Sequence, residues 1–144
     1  MTTRQPGLRK RMELEARRIF HQHEQLDQFY AVTAWALEGE DARAARQAYR
    51  NLQDALESHF QVEERTHFPA LHGLEPGTEE VLAGLVREHD AFRDRLAQLD
   101  RTLAVDDLAE GGRQLKELGE ALERHEKAEE RLFASATGTP PPSR

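Results

Sequence analysis

His59-Phe60-Gln61-Val62-Glu63-Glu64-Arg65 and His125-Glu126-Lys127-Ala128-Glu129-Glu130-Arg131 share the pattern HxxxEER. In a helix, residues four apart lie one turn above each other on the same face, so each copy presents an imidazole and a carboxylate side by side. The copies are 66 residues apart, and the same offset carries His23 onto His89, Leu52 onto Leu118, Ala55 onto Ala121, Leu56 onto Leu122 and Glu57 onto Glu123. The separation from His23 to His59 equals that from His89 to His125, 36 residues. The chain therefore repeats itself, each half carrying a lone histidine followed by an HxxxE pair.

Around these copies, Gly and Pro are grouped and divide the chain into four long segments. The first is expected from about Leu8 to Glu38, stopped by Gly39. The second starts after the N-cap Asp41 and runs to about His72, with Pro69 ending or kinking its last turn. The third opens at Thr78 and runs to about Leu103, and Asp106 or Asp107 caps the fourth. Gly111, Gly112 and Gly119 weaken the start of that fourth helix by roughly 1 kcal/mol each relative to Ala. Apolar residues at steps of three and four give one stripe per helix. These are Met12, Ala16, Ile19, His23, Leu26, Tyr30, Thr33 and Leu37, then Ala45, Tyr49, Leu52, Leu56, His59, Glu63, Thr66 and Ala70. The third is Leu82, Leu85, His89, Phe92, Leu96, Leu99 and Leu103, and the fourth Leu108, Leu115, Leu118, Leu122, His125, Glu129 and Leu132. The fold class that follows is all-α: an up-down-up-down four-helix bundle of two pseudo-symmetric hairpins. Residues 1–137 form this domain, and 138–144 a disordered Pro-rich tail.

Every stripe is broken near its middle by histidine, and two of them also by glutamate. Four imidazoles and two carboxylates on facing core stripes are costly without a partner, and a metal ion is the natural one. Counted from the loops, His23, His59, His89 and His125 fall at one height in an antiparallel bundle, with Glu63 and Glu129 one turn away. The candidate ligands are thus His23, His59, Glu63, His89, His125 and Glu129. The chain has no cysteine, which excludes disulfides, thiolate zinc sites, iron–sulfur clusters and thiol nucleophiles. A net charge of −7 argues against nucleic acid or an anionic membrane as partner. No apolar run reaches the roughly 18 residues of a membrane span and no signal-peptide core is present, so the expected compartment is the cytoplasm.

From about Leu8 to Ala134 the sequence resembles the hemerythrin-like, or HHE cation-binding, domains, whose pattern is met by His23, by His59 and Glu63, by His89, and by His125 and Glu129. The resemblance implies a non-haem di-iron protein in which two irons share bridging carboxylates and an oxo or hydroxo group. Zinc and manganese suit the same donors. It further implies oxygen or iron binding or sensing, with peroxide consumption or reaction with nitric oxide as the alternative, and these small molecules as partners. A structural bundle with an incidental zinc site is the third reading. Oxygen-carrying relatives have a fifth histidine one turn after the third-helix ligand, where this chain has Arg93. Four histidines, two bridging carboxylates and one bridging oxygen leave two of twelve coordination positions open, which favours bridging substrates such as peroxide. Asp27, the repeat counterpart of Arg93, is a possible additional ligand, the alternative being that both residues flank the stripe and reach solvent.

His21, His67 and His72 lie off the stripes and are expected in solvent. Glu64 and Glu130 point about 100° away from the neighbouring glutamates and are expected as rim or salt-bridge residues. Tyr30 and Tyr49 have matching heights and are expected in core packing, and Trp35, Phe20, Phe29, Phe60, Phe92 and Phe133 as core or half-buried. Without metal, Glu63 and Glu129 would face each other as like charges.

Overall fold

The structure, a computed structural model, describes residues 6–140. Its helices are α1 (Pro6–Glu38), α2 (Ala42–Val62), α3 (Phe68–Leu74), α4 (Glu79–Ala104) and α5 (Leu108–Thr137). A π-helical turn, Glu63–His67, joins α2 to α3, and a 3-10 turn, Pro76–Thr78, precedes α4. Backbone angles stay right-handed helical from Val62 through Glu63 and His67 to Phe68, so α2, the π turn and α3 make one long rod. The result is the expected up-down-up-down four-helix bundle, with α1 packed on α2 and α5, and α4 on α5 and α2.

Local chemistry sets the ends. The Asp41 carboxylate accepts from the Ala44 N–H, and Asp107 does the same for Glu110, each satisfying an orphan donor of a first turn. Asp106 takes φ 59° in the tight α4–α5 connection, a conformation aspartate tolerates better than most residues. Gly138 closes α5 at φ 75°, and Thr139 beyond it is buried. The rest of the expected tail, residues 141–144, lies outside the described residues, as do 1–5.

The stripes are buried nearly as read, and the polar layer splits the apolar core in two. On one side lie Leu26, Tyr49, Leu52, Leu56, Phe60, Phe92, Leu96 and Leu118; on the other lie Met12, Ile19, Phe20, Phe68, Leu71, Leu82, Leu85 and Phe133. The second stripe departs after Glu63: Thr66 is exposed, and His67 and Leu71 are buried instead. Pro69 supplies the reason. It has no N–H for the Arg65 carbonyl, and the chain widens just before it, the Phe68 N–H reaching back five residues to Glu63. The extra residue in that turn moves the inward face by one position. Trp35 is another departure: it is 77% exposed rather than in the core or half-buried, and Phe29 is 40% exposed, both on the outer face of α1.

The glycines of α5 are close approaches rather than breaks. A Cβ at Gly119 would collide with the Tyr30 ring, whose hydroxyl donates to the Leu115 carbonyl at 3.1 Å, and one at Gly111 would lie 2.7 Å from a Leu103 methyl. Gly112 has nothing within 4 Å. Gly119→Ala is therefore expected to destabilise the protein by about 1–3 kcal/mol through overpacking, and Gly112→Ala to stabilise it by up to about 1 kcal/mol. Urea unfolding of both variants checks the opposite signs.

Candidate metal centre

The four helices bring His23, His59, His89, His125, Glu63 and Glu129 to one level, all of them buried. They form two groups of four donors: His23, His59, Glu63 and Glu129, and Glu63, His89, His125 and Glu129. Within each group the ligand atoms lie within 4.8 Å of one another, and both carboxylates belong to both groups. Every histidine points Nε2 inward. His23 Nε2 lies 3.0 Å from Glu129 Oε1, His59 Nε2 3.2 Å from Glu63 Oε2, His89 Nε2 3.0 Å from Glu63 Oε1, and His125 Nε2 2.8 Å from Glu129 Oε2.

The Nδ1 atoms point outward to a second ring of acceptors. His23 donates to Glu130 at 2.8 Å, His59 to Gln22 at 2.8 Å, His89 to Glu64 at 2.7 Å, and His125 to Glu88 at 2.6 Å. A carboxylate or carbonyl oxygen only accepts, so each Nδ1 carries a proton, and the neutral ring then keeps its lone pair on Nε2, where a ligand needs it. The ring obeys the same 66-residue repeat, Glu64 onto Glu130 and Gln22 onto Glu88. Glu64 and Glu130 are thus the salt-bridge partners expected of them, while Gln22 and Glu88 were not singled out by their stripes; their place in the repeat beside the histidines was the available signal.

Electrostatically the layer balances itself. Burial pushes the His23 and His89 pKa values down, but the carboxylates beside them outweigh it, Glu129 and Glu130 at His23 and Glu129, Glu63 and Glu64 at His89, leaving both raised to about 10. Burial also acts to lower His125, yet Glu129 leaves it raised. Burial works to raise Glu129, and the His125, His23 and His89 rings beside it hold its carboxyl well below the usual range. The two glutamates do come together, with donor oxygens within 4.8 Å of each other, and the imidazoles are interleaved with them. Hydrogen bonding remains incomplete all the same. Nε2 of His59, His89 and His125, both oxygens of Glu63 and Oε2 of Glu129 are buried without a hydrogen-bond partner, close to opposite charges but not aligned with them. Six buried nitrogen and oxygen atoms of one layer without a hydrogen-bond partner make a donor set that could hold a cation.

A scan against family models matches residues 15–136 to the hemerythrin HHE cation-binding domain. The chain belongs to the hemerythrin family. Comparison with curated proteins and with solved structures returned no match. No helix among the described residues is long and apolar enough to cross a membrane.

Around the hemerythrin-type layer, Arg93 and its repeat counterpart Asp27 have different surroundings. Arg93 donates to Glu57 at 2.8 and 3.2 Å and to Asp90 at 2.9 Å, lies 3.2 Å from Glu64, and sits over the Phe60 ring at 5.5 Å. It thereby steadies the carboxylate that steadies His89, and its guanidinium lowers the Glu57 pKa. Asp27 is exposed and belongs to neither donor group. Tyr49 donates to the Leu96 carbonyl on α4 and Tyr30 to α5, so the two tyrosines brace different helix pairs.

His21 and His72 are exposed as expected, but His67 is not. It is buried, with Nδ1 2.6 Å from Glu15 Oε2 of buried Glu15. Burial holds its pKa down against the pull of Glu15. The α-helical spacing placed it outside the stripe, and the π turn rotates it in. Glu15→Ala is expected to cost about 1–3 kcal/mol by stranding a buried imidazole. Glu24→Ala, beside exposed His21, should cost under about 0.5 kcal/mol. Chemical denaturation of the pair of variants tests the contrast.

Proposed function

We propose that the two donor groups hold a pair of iron ions bridged by Glu63, Glu129 and an oxo or hydroxo group, and that the pair binds small oxygen species. The observation that carries this reading is the sharing of both carboxylates by two otherwise separate histidine pairs, the donor set of a dinuclear rather than a mononuclear site. Nitrogen and oxygen donors without thiolate suit iron, and membership of the hemerythrin family favours it over zinc or manganese. Bound iron supplies Lewis acidity and a one-electron redox couple at each position.

The residues of the chain do the rest. Glu130, Gln22, Glu64 and Glu88 fix ring orientation and tautomer, so the nitrogens are arranged before a cation arrives. Phe60, stacked on His89 at 4.3 Å, Phe68 at 5.7 Å from the same ring, and Phe92 against His125 at 5.1 Å keep water from that half. Arg93, in place of a fifth histidine, is permanently charged and engaged by three carboxylates, so it adds no donor. That leaves open positions for a small molecule spanning both ions.

Three outcomes test this. Elemental mass spectrometry on protein purified without a metal-binding tag should give about two irons per chain, as the two four-donor groups require; one zinc, or none of either metal, overturns it. Glu64→Ala should weaken iron retention about 10–100-fold by releasing His89 Nδ1, measured by competition with a chelator. Metal removal should lower the melting temperature, with a defined pH dependence. In stripped protein the folded His23 and His89 pKa values, about 10, exceed the ordinary imidazole value of 6.5, so their contribution is complete below 6.5 and is lost as pH rises through 10. Loaded protein has no such loss, so the gap between loaded and stripped protein widens from pH 6.5 to 10. Calorimetry showing a narrowing gap contradicts it.

A further inference from the structure

The internal repeat is closed on one side of the centre and open on the other. Beside His89 and His125 the space is filled by Phe60 and Phe92, with Arg93 over the ring. The 66-residue counterparts of these three are Glu126, Leu26 and Asp27, all smaller. They line a cavity of about 350 Å³ on the α1–α5 seam, with α2 behind it. Its walls are Leu26, Leu52, Leu56, Leu122, Tyr30 and the bare backbone of Gly119. Leu26 is three residues after His23, Leu56 three before His59 and Leu122 three before His125, so the cavity lies one helical turn from the donor layer. Tyr30 is fixed by its bond to Leu115, which makes that wall rigid.

The volume exceeds what a diatomic molecule or peroxide needs, since one water requires only roughly 10–15 Å³ on a comparable measure. It falls at the lower end of organic ligand sites, about 300–1,000 Å³. Charge narrows the choice. Asp27, Glu120, Glu123 and Glu126 outnumber Lys116 and Lys127 around the lining, which disfavours an anion. Glu126 is buried and near enough to His23 to act on its charge. A carboxylate has about four acceptor positions, so a protein partner does not exhaust it.

We propose that this cavity is a binding site for a small aromatic molecule that carries a hydrogen-bond donor and no negative charge, a phenol or aryl amine, with its ring among the leucines and its polar hydrogen on Glu126. The site is made by protein atoms alone and stands whether or not iron fills the centre.

The test is isothermal titration calorimetry of 4-methylphenol and, separately, benzoate into the purified protein, with metal content measured for every sample. The expected result is one 4-methylphenol per chain with a Kd of about 1 mM or tighter, and benzoate at least about tenfold weaker. Leu26→Phe, which installs the side chain that the repeat has at Phe92, should abolish binding by filling the cavity. Glu126→Gln keeps the shape and an acceptor but loses the charge, and should weaken 4-methylphenol about threefold to tenfold at unchanged metal content. No saturable heat, equal binding of benzoate, or undiminished binding by folded Leu26→Phe overturns the proposal. Should Leu26→Phe fail to fold, wild-type affinity in Glu126→Gln overturns it. Absence of iron with 4-methylphenol still bound would refute the di-iron reading and leave this one standing.

Discussion

Two carboxylates at the centre of a helical bundle constrain everything around them. Glu63 and Glu129 are fully buried, and an isolated ionised carboxyl there would cost far more than a small domain's whole stability. The chain surrounds them with four imidazoles whose inner nitrogens face the carboxylate oxygens, and surrounds those imidazoles with Glu64, Glu88, Glu130 and Gln22. Only the outermost partners approach solvent; Glu88, for example, has a 54% exposed side chain. Charge is thus graded outward through three shells, and the innermost still has polar atoms without a hydrogen-bond partner. The two apolar clusters on either side are what hold such a layer in place, since neither could be continuous across it.

The π turn serves the same constraint. It begins at Glu63 itself, and the residue it adds changes which face of the rod looks inward from that point on. Before it, Leu52, Leu56, His59 and Glu63 follow α-helical spacing; after it, His67, Phe68 and Leu71 do. A regular helix would have turned Thr66 and Ala70 inward, leaving Phe68 to compete with solvent. Pro69 makes the wider turn cheap, because the hydrogen bond that a regular helix would lose there could not be formed in any case.

This also explains how much could be read from the sequence. The bundle and the six central residues were legible because two periodicities coincide: the helical stripe and the 66-residue repeat. Four interruptions at equal height are hard to produce by packing alone. His67 was not legible because a stripe is counted on a constant turn, and a one-residue insertion in register leaves no compositional mark except the proline that follows. Trp35 was misplaced for a different reason: hydrophobicity predicts burial only where a helix has a neighbour, and the outer face of α1 has none among the described residues. The glycines of α5 read as weak points, whereas Gly111 and Gly119 mark where Leu103 and Tyr30 come closest.

Duplication usually implies equivalence, but here the copies agree only as far as the ligands and their outward partners. One shell further they diverge: an aromatic and guanidinium wall on the His89 side, a carboxylate and leucine-lined hollow on the His23 side. The shared part is what any cation in the centre would require of both halves. The divergent part gives the two halves different walls, packed rings beside His89 and His125 and a hollow one helical turn from His23. Asp27 and Arg93, equivalent by the repeat, illustrate the split: Arg93 tightens its half by bridging Glu57, Glu64 and Asp90, while Asp27 stands on the wall of the opening.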